Sequence, residues 1–255
     1  MRGPSLTAGL PEQLRLVTWN AEWAPTKKRA AIRARIASLD PDVIVLTEGD
    51  AGVLPDGGHS IDAGTEWGYV SPDPARRKVI LWSRFPPSDV DTVGSRKEEM
   101  PGGRWVAGTV ETTRGPIRIM GVCIPWKDAH VRSGRRDADS WDEHLAYLRC
   151  MSPVFHDAAA AGNACVLGDF NQRIPRRGAG VDVHEALLTA LGGFRVVTEG
   201  AVDGLVDPPV DHIAIGSRLG AHEVRGVDRH EDGPGLGREL SDHHLVSCVV
   251  SVGTP

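Results

Sequence analysis

At 255 residues the chain is long enough to bury a sizeable core, and 40% hydrophobic with 25% charged residues is the balance of an ordinary globular protein. No apolar run approaches the roughly 20 residues that a membrane-spanning helix needs. The net charge of −5 argues against a strong nonspecific hold on nucleic acid, although a bound cation or a local Arg cluster can reverse the sign at one site.

Met1 to Gln13 carries a single Arg and no apolar h-region, so it does not read as a secretory signal, and a loose tail is expected there. The remainder, 14–255, is expected to form one domain, because no repeat and no long linker divides it. Residues 14–19, LRLVTW, read as a strand. A helix opening at Pro25-Thr26 carries Ile32, Ile36 and Leu39 on one face and ends at Asp40-Pro41. Asp42 to Thr47, DVIVLT, has the continuous apolar pattern of a strand covered on both faces. Segments 78–84, 104–112 and 116–124 then read as strands between Pro- and Gly-rich turns, and antiparallel pairing is expected. A long helix over 140–161 follows, with Ser140 and Glu143 at capping-box spacing and Trp141, Leu145, Leu148, Met151 and Phe155 at helical intervals. Next come a strand over 163–167, a helix near 182–191, and strands near 194–198, 211–215, 221–228 and 244–251. The pattern predicts an α/β protein, with sheet packed on sheet and helices outside.

Cys123, Cys150, Cys165 and Cys248 show no CxxC spacing, and three of them lie in apolar runs. Reduced core thiols are expected rather than zinc ligands or disulfides, which points to the cytoplasm. A monomer is expected.

The informative residues are polar groups at the ends of buried strands. Asn20 and Glu22 follow the first strand, Glu48 the second, and Asp169 and Asn171 the strand after the long helix. Asp211 opens a late strand, and Asp242 and His243 precede the last. Residues two apart in extended chain project to one side, so Asn20 with Glu22, and Asp169 with Asn171, can share a cleft. Each pair alone is a commonplace turn or cap. Several carboxylates converging at strand ends would repel one another and require a cation, and oxygen ligation suits Mg²⁺ or Mn²⁺ rather than zinc.

TWNAEW, VLTEGD, LGDFNQR, VDHIAIG and SDHHLV, in this order, resemble the motif set of the endonuclease/exonuclease/phosphatase superfamily, which has the deoxyribonuclease-I-like fold. The resemblance runs from about Leu14 to the C-terminus. It implies a four-layer α/β sandwich with two central, mostly antiparallel sheets flanked by helices. It also implies a divalent-metal-dependent hydrolase of phosphate esters. By the same resemblance Glu48 is the main metal ligand, supported by Asn20, with Glu22 as a second acid and Asp242 near the metal or its waters. Asp169 and Asn171 hold the attacking water and the phosphate, and Asp211 fixes the ring of His243. Either Asp169 or His243 could take the proton from water.

One departure stands out. Cys123-Ile124-Pro125-Trp126 occupies the strand end where many members carry His or Tyr, so a second imidazole is missing and Trp126, Lys127 or His130 could line that wall. Arg173, Arg176 and Arg177 after GDFN, and Lys127, Arg132, Arg135 and Arg136 after IPW, are candidate phosphate contacts. Lys27, Lys28, Arg29, Arg33 and Arg35 on the first helix read as surface. Nucleic acid is the expected substrate, with a small phosphorylated metabolite or lipid headgroup as the alternative. A non-catalytic protein that retains the fold would show damage at these motifs, and here they are nearly intact.

Overall fold

The computed structural model describes residues 9–253, and most of the expected tail, residues 1–8, lies outside them. Of the remainder of that tail, the Pro11 carbonyl accepts from Thr113 N and Glu12 pairs with Arg114.

In chain order the elements are β1 (Leu14–Asn20), α1 (Arg29–Ala37), β2 (Val43–Gly49), β3 (His59–Asp62), β4 (Arg77–Ser83) and β5 (Ser88–Asp91). There follow β6 (Trp105–Val110), β7 (Ile117–Cys123), α2 (Asp142–Ala161), β8 (Ala164–Asp169), α3 (Val181–Ala190), β9 (Arg195–Val196), β10 (Asp211–Ile215), β11 (Leu219–Val227) and β12 (Leu245–Val252). They form two six-stranded sheets, ordered β11-β12-β1-β2-β4-β3 and β5-β6-β7-β8-β10-β9. Each sheet is antiparallel except at one pair, β1 with β2 across α1 and β7 with β8 across α2.

Strand alternation builds the layers. Leu14 and Leu16 of β1, Val43 and Val45 of β2, Cys165 and Leu167 of β8, and Ile213 and Ile215 of β10 meet in one apolar cluster between the sheets. The opposite faces of the strands pack outward. Val17, Trp19, Ile44 and Leu46 meet Ile32 and Ile36 of α1, while Val122, Val166 and Ala214 meet Tyr147, Met151 and Phe155 of α2 and Leu187 of α3. The result is the four-layer sandwich the motifs implied. The four cysteines are buried free thiols, and no helix among the described residues is long and apolar enough to cross a membrane.

Three local expectations are corrected. β3 and β5 were not visible as strands, because as sheet edges with largely exposed side chains they lack apolar alternation. The capping box at α2 does not form: Ser140 Oγ donates to Asp128 Oδ1, Glu143 pairs with Arg135, and Trp141 takes the N-cap with φ 76°. The basic residues of α1 are not simply solvated either. Arg35 donates to the carbonyls of Asp228, His230 and Glu231, and Arg29 pairs with Asp50 at 2.5 Å.

The segment after β8 is fixed from several sides. Gly168 has φ 142°, and a Cβ built there would lie 1.9 Å from the Val122 carbonyl oxygen. Gln172 is a buried hub. Its Nε2 donates to His144 Nε2 of α2 (2.8 Å), its Oε1 accepts from His184 Nδ1 of α3 (3.1 Å), and its carbonyl accepts from His212 Nε2 of β10 (3.0 Å). His144 Nδ1 donates to the Pro125 carbonyl and Thr198 Oγ1 donates to His212 Nδ1, so both rings are bonded in their neutral form.

Gly168→Ala should destabilise the fold by about 3 kcal/mol or more, read as a melting temperature lower by about 6–12 °C. An unchanged melting temperature would contradict the close strand approach. Burial holds His144 and His212 down to about 4, below the ordinary 6.5. Between those values the unfolded chain binds protons that the folded chain refuses, so stability falls as the pH falls through that window. In metal-free protein the urea-unfolding free energy should drop by about 1.4 kcal/mol per pH unit for each of the two rings. His144→Gln should remove one ring's share of that slope.

Candidate active site

The layer between the sheets stops being apolar at one end, and there the inward positions become polar. Asn20 continues the series Leu14, Leu16; Asp169 continues Cys165, Leu167; Asp211 lies two residues before Ile213. Asp169 and Asp211 are directly opposed in the β8–β10 register, and Cys123 opposes Asp169 from β7.

The Asp169 carboxylate, 1% exposed, accepts from Asn20 Nδ2 (3.0 Å), Asn171 Nδ2 (2.8 Å) and the Asn171 backbone N–H (2.8 Å). Asn171 reaches it because its backbone turns left-handed at φ 54°, not because the strand continues. Its Nδ2 also donates to the Ile124 carbonyl. Asn20, by contrast, spans the two sheets. Its Oδ1 accepts from Glu22 N, while Glu22 itself turns to φ 47° and sends its carboxylate to Lys28 Nζ (3.0 Å). Glu22 therefore does not line the cavity.

His243 enters from the loop before β12. Its Nδ1 donates to Asp211 Oδ2 at 2.6 Å, and its Nε2 lies 3.8 Å from Asp242 Oδ1. The loop is anchored to β1: Trp19 Nε1 donates to the His243 carbonyl, and Ser241 Oγ donates to the Asn20 carbonyl and accepts from His243 N. Asp211 Oδ1 is buried with no hydrogen-bond partner among the described residues.

Burial disfavours the Asp169 carboxylate and the charges of Asp211 and Glu48 add to this, so its pKa is raised despite His243 and the Asn20 hydrogen bond. Burial lowers His243, but Asp211 and Asp169 overcome it and raise the ring well above the ordinary range. Three donors on Asp169 favour its ionised form, so the proton belongs on His243: an imidazolium between two carboxylates. Burial pushes the Cys123 thiol up to about 12, so it is neutral.

These groups open into a cavity of about 450 Å³ that Asn20, Glu48, Asp169, Asn171, Asp242 and His243 line together. Glu48, at the end of β2 with φ 47°, pairs with Lys78 Nζ of β4 at 2.5 Å, between the register pairs Thr47–Val79 and Gly49–Arg77. The opposite wall is aromatic. Trp23 stacks on Trp67 with centroids 5.9 Å apart, Tyr69 lies beside them, and Trp126 is 46% exposed at the rim. Lys78 Nζ and Arg76 Cζ lie 4.8 and 5.2 Å from the Trp23 ring centroid.

Of the candidate phosphate contacts, Trp126 lines the cavity and the others do not. Arg173 Nε donates to the Pro208 carbonyl, Arg177 lies against Asp207, and Lys127 against Asp128. His130 is buried under Tyr69, with ring centroids 4.3 Å apart. The cations that do line the cavity, Arg76, Lys78 and Arg104, went unnoticed in the sequence. Their only signal was a charge set directly against an apolar strand, in RKVILW and GRWVAG.

The fold has solved counterparts. A 3′ phosphatase from Neisseria bound to product DNA hairpin is 19% identical, with a TM-score of 0.65 over 92% of this chain and 98% of that one. The human Nocturnin catalytic domain with bound sulfate is 15% identical, with a TM-score of 0.66 over 94% of each chain. An AP endonuclease from Archaeoglobus fulgidus is 16% identical, with a TM-score of 0.64 over 94% of this chain and all of that one (100%). At these identities the likeness is one of fold. No curated protein sequence matches. The sequence profile of the Endonuclease/Exonuclease/phosphatase family, however, matches residues 17–246, nearly the whole length, and the chain belongs to that family.

Proposed function

We propose that this chain is a divalent-metal-dependent phosphodiesterase that acts on nucleic acid at an unpaired or terminal nucleotide. The observation that carries the reading is the convergence of Asp169, Asp211 and His243, whose ligand-type atoms lie within 4.8 Å of one another, with Asp169 and His243 on the cavity lining.

A hard cation fits the donor set. Glu48, Asp169 and Asp211 concentrate negative charge with little solvent, and Asp211 Oδ1 has no partner of its own. Asp169, Asp211 and His243 are the tightest group, with His243 bonded to Asp211 at 2.6 Å and Asp169 held by three donors. Glu48, less buried and paired with Lys78, faces the cavity together with Asn20 and Asp242 and is the primary ligand we assign to Mg²⁺ or Mn²⁺. Bound there, the cation would withdraw charge from a phosphoryl oxygen.

The protein's own groups divide the remaining work. Asp169, fixed by three donors and raised by burial, takes the proton from the attacking water. Asn171 positions that water and the phosphate. His243, kept cationic by Asp211, faces the negative charge that grows on the phosphoryl oxygens. Trp126, 46% exposed at the rim, offers a ring face on which a base can stack, worth about 1–3 kcal/mol. A small phosphate ester is the second reading, favoured by a cavity of about 450 Å³ and a net charge of −5.

The test is a hydrolysis panel with Mg²⁺ or Mn²⁺ that contains single-stranded, nicked and abasic DNA, RNA, simple mono- and diesters and phospholipid. Chelator should abolish turnover, and Glu48→Ala, Asp169→Ala and His243→Ala should each lower kcat by about 10²–10⁴. Turnover that survives chelator and these substitutions would remove the reading. Hydrolysis of small esters alone would select the second.

A further inference from the structure

Arg104 has no role in the chemistry above, yet its setting is hard to explain as structural. It precedes β6 and is 2% exposed, and its backbone is held on both sides: its carbonyl accepts from Cys123 N at 3.1 Å and from the Tyr147 hydroxyl at 3.1 Å. The guanidinium is much less well satisfied. Nη1 makes one long hydrogen bond to the Cys123 carbonyl (3.4 Å) and a contact to Cys123 Sγ (3.8 Å), and the group pairs with no carboxylate among the described residues. The neighbouring cations differ. Lys78 is neutralised by Glu48, and Arg76 lies half-buried against the Trp23 ring. Arg76 Nε is a buried donor without a partner, but among the described cations of the cavity wall Arg104 is the one that combines 2% exposure with no carboxylate partner and only one long hydrogen bond.

A buried cation without an anion is costly, and it persists where a ligand supplies the missing charge. We propose that Arg104 binds the phosphoryl oxygens of the substrate, beside Cys123, at the strand end where the sequence lacks a second imidazole. The inference rests on the phosphate-ester reading for its ligand class. A guanidinium stays protonated and its planar fork matches two oxygens of one phosphoryl group, so Arg104 supplies binding and charge but no proton transfer. The neutral Cys123 thiol beside it supplies neither.

The experiment is calorimetric titration of the metal-free protein with inorganic phosphate, against chloride at equal ionic strength, together with melting curves in both salts. Arg104→Met should raise the phosphate Kd by about 10- to 100-fold and remove the melting shift that phosphate induces. In chloride its melting temperature should stay the same or rise, since an unpaired buried charge has been removed. Arg104→Lys, which keeps the charge but not the fork, should fall between the two. The inference is overturned if wild type binds no phosphate, if Arg104→Met binds it normally, or if that variant loses equal stability in both salts. Should Arg104→Met fail to fold, Arg104→Lys decides alone, with an unchanged Kd overturning the inference. Because phosphate binding needs no turnover, a blank hydrolysis panel with Arg104-dependent binding would reject the enzymatic reading and leave this one standing.

Discussion

A single buried carboxylate organises the open end of this sandwich. Asp169 sits at an inward position of β8, where its neighbours two and four residues earlier are Leu167 and Cys165, and at 1% exposed its charge is little solvated. Such a group is tolerable only when fully engaged, and each engagement ties down another part of the molecule. Asn20 reaches it from the other sheet. Asn171 must turn left-handed to reach it, and that turn is held in place by the Gln172 hub. His243 balances it electrostatically while bonded to Asp211, its partner across the β8–β10 register. Removing Asp169 would leave a surplus of donors rather than a simple gap.

The same demand accounts for part of the backbone strain. Of the twelve left-handed residues other than glycine among the described residues, five (Glu22, Trp23, Ala24, Glu48 and Asn171) lie at strand ends beside the cavity or leading away from it. Strict alternation would send Glu48 toward α1 with Ile44 and Leu46. Its turn, like that of Asn171, lets a side chain leave the strand pattern. Strain of this kind persists where surrounding contacts over-determine it. Here they do so through Trp23 N to the Glu48 carbonyl, Ala24 N to the Ala21 carbonyl, and Ser241 bridging Asn20 to His243.

The legibility of the sequence follows from these constraints. Interior strands announce themselves because both faces are buried, and the polar residue that ends such a run marks the cavity lining. That much was readable for Asn20, Glu48 and Asp169, while Asp211 opens its strand behind them. Glu22 was misplaced by a rule that holds only while the chain stays extended, since the left-handed turn carries its carboxylate to Lys28. Proximity in sequence misled equally for Arg173, Arg177 and Lys127, because loop residues next to a motif turn to local partners. Lys78 and Arg104 come from strands without a motif, and only sheet register brings them to Glu48 and Cys123. The edge strands β3 and β5 left no pattern because half of each faces water.

Charge balance at the floor bears on how protons can move. On the β6–β7 side stand the Arg104 guanidinium and the Cys123 thiol that burial pushes up to about 12. On the β8–β12 side stand Asp169, raised by burial, and His243, raised by Asp211 and Asp169 against its burial. Any proton exchanged during turnover therefore passes through that second side or through bulk water at the mouth. The two sides are rigid in different ways: Arg104 is fixed by its backbone bonds to Cys123 and Tyr147, while His243 is fixed by its ring through Asp211. With the roles proposed for them, Arg104 and His243 supply positive charge from the two sides and Asp169 alone takes a proton, so a neutral thiol at Cys123 leaves the base untouched.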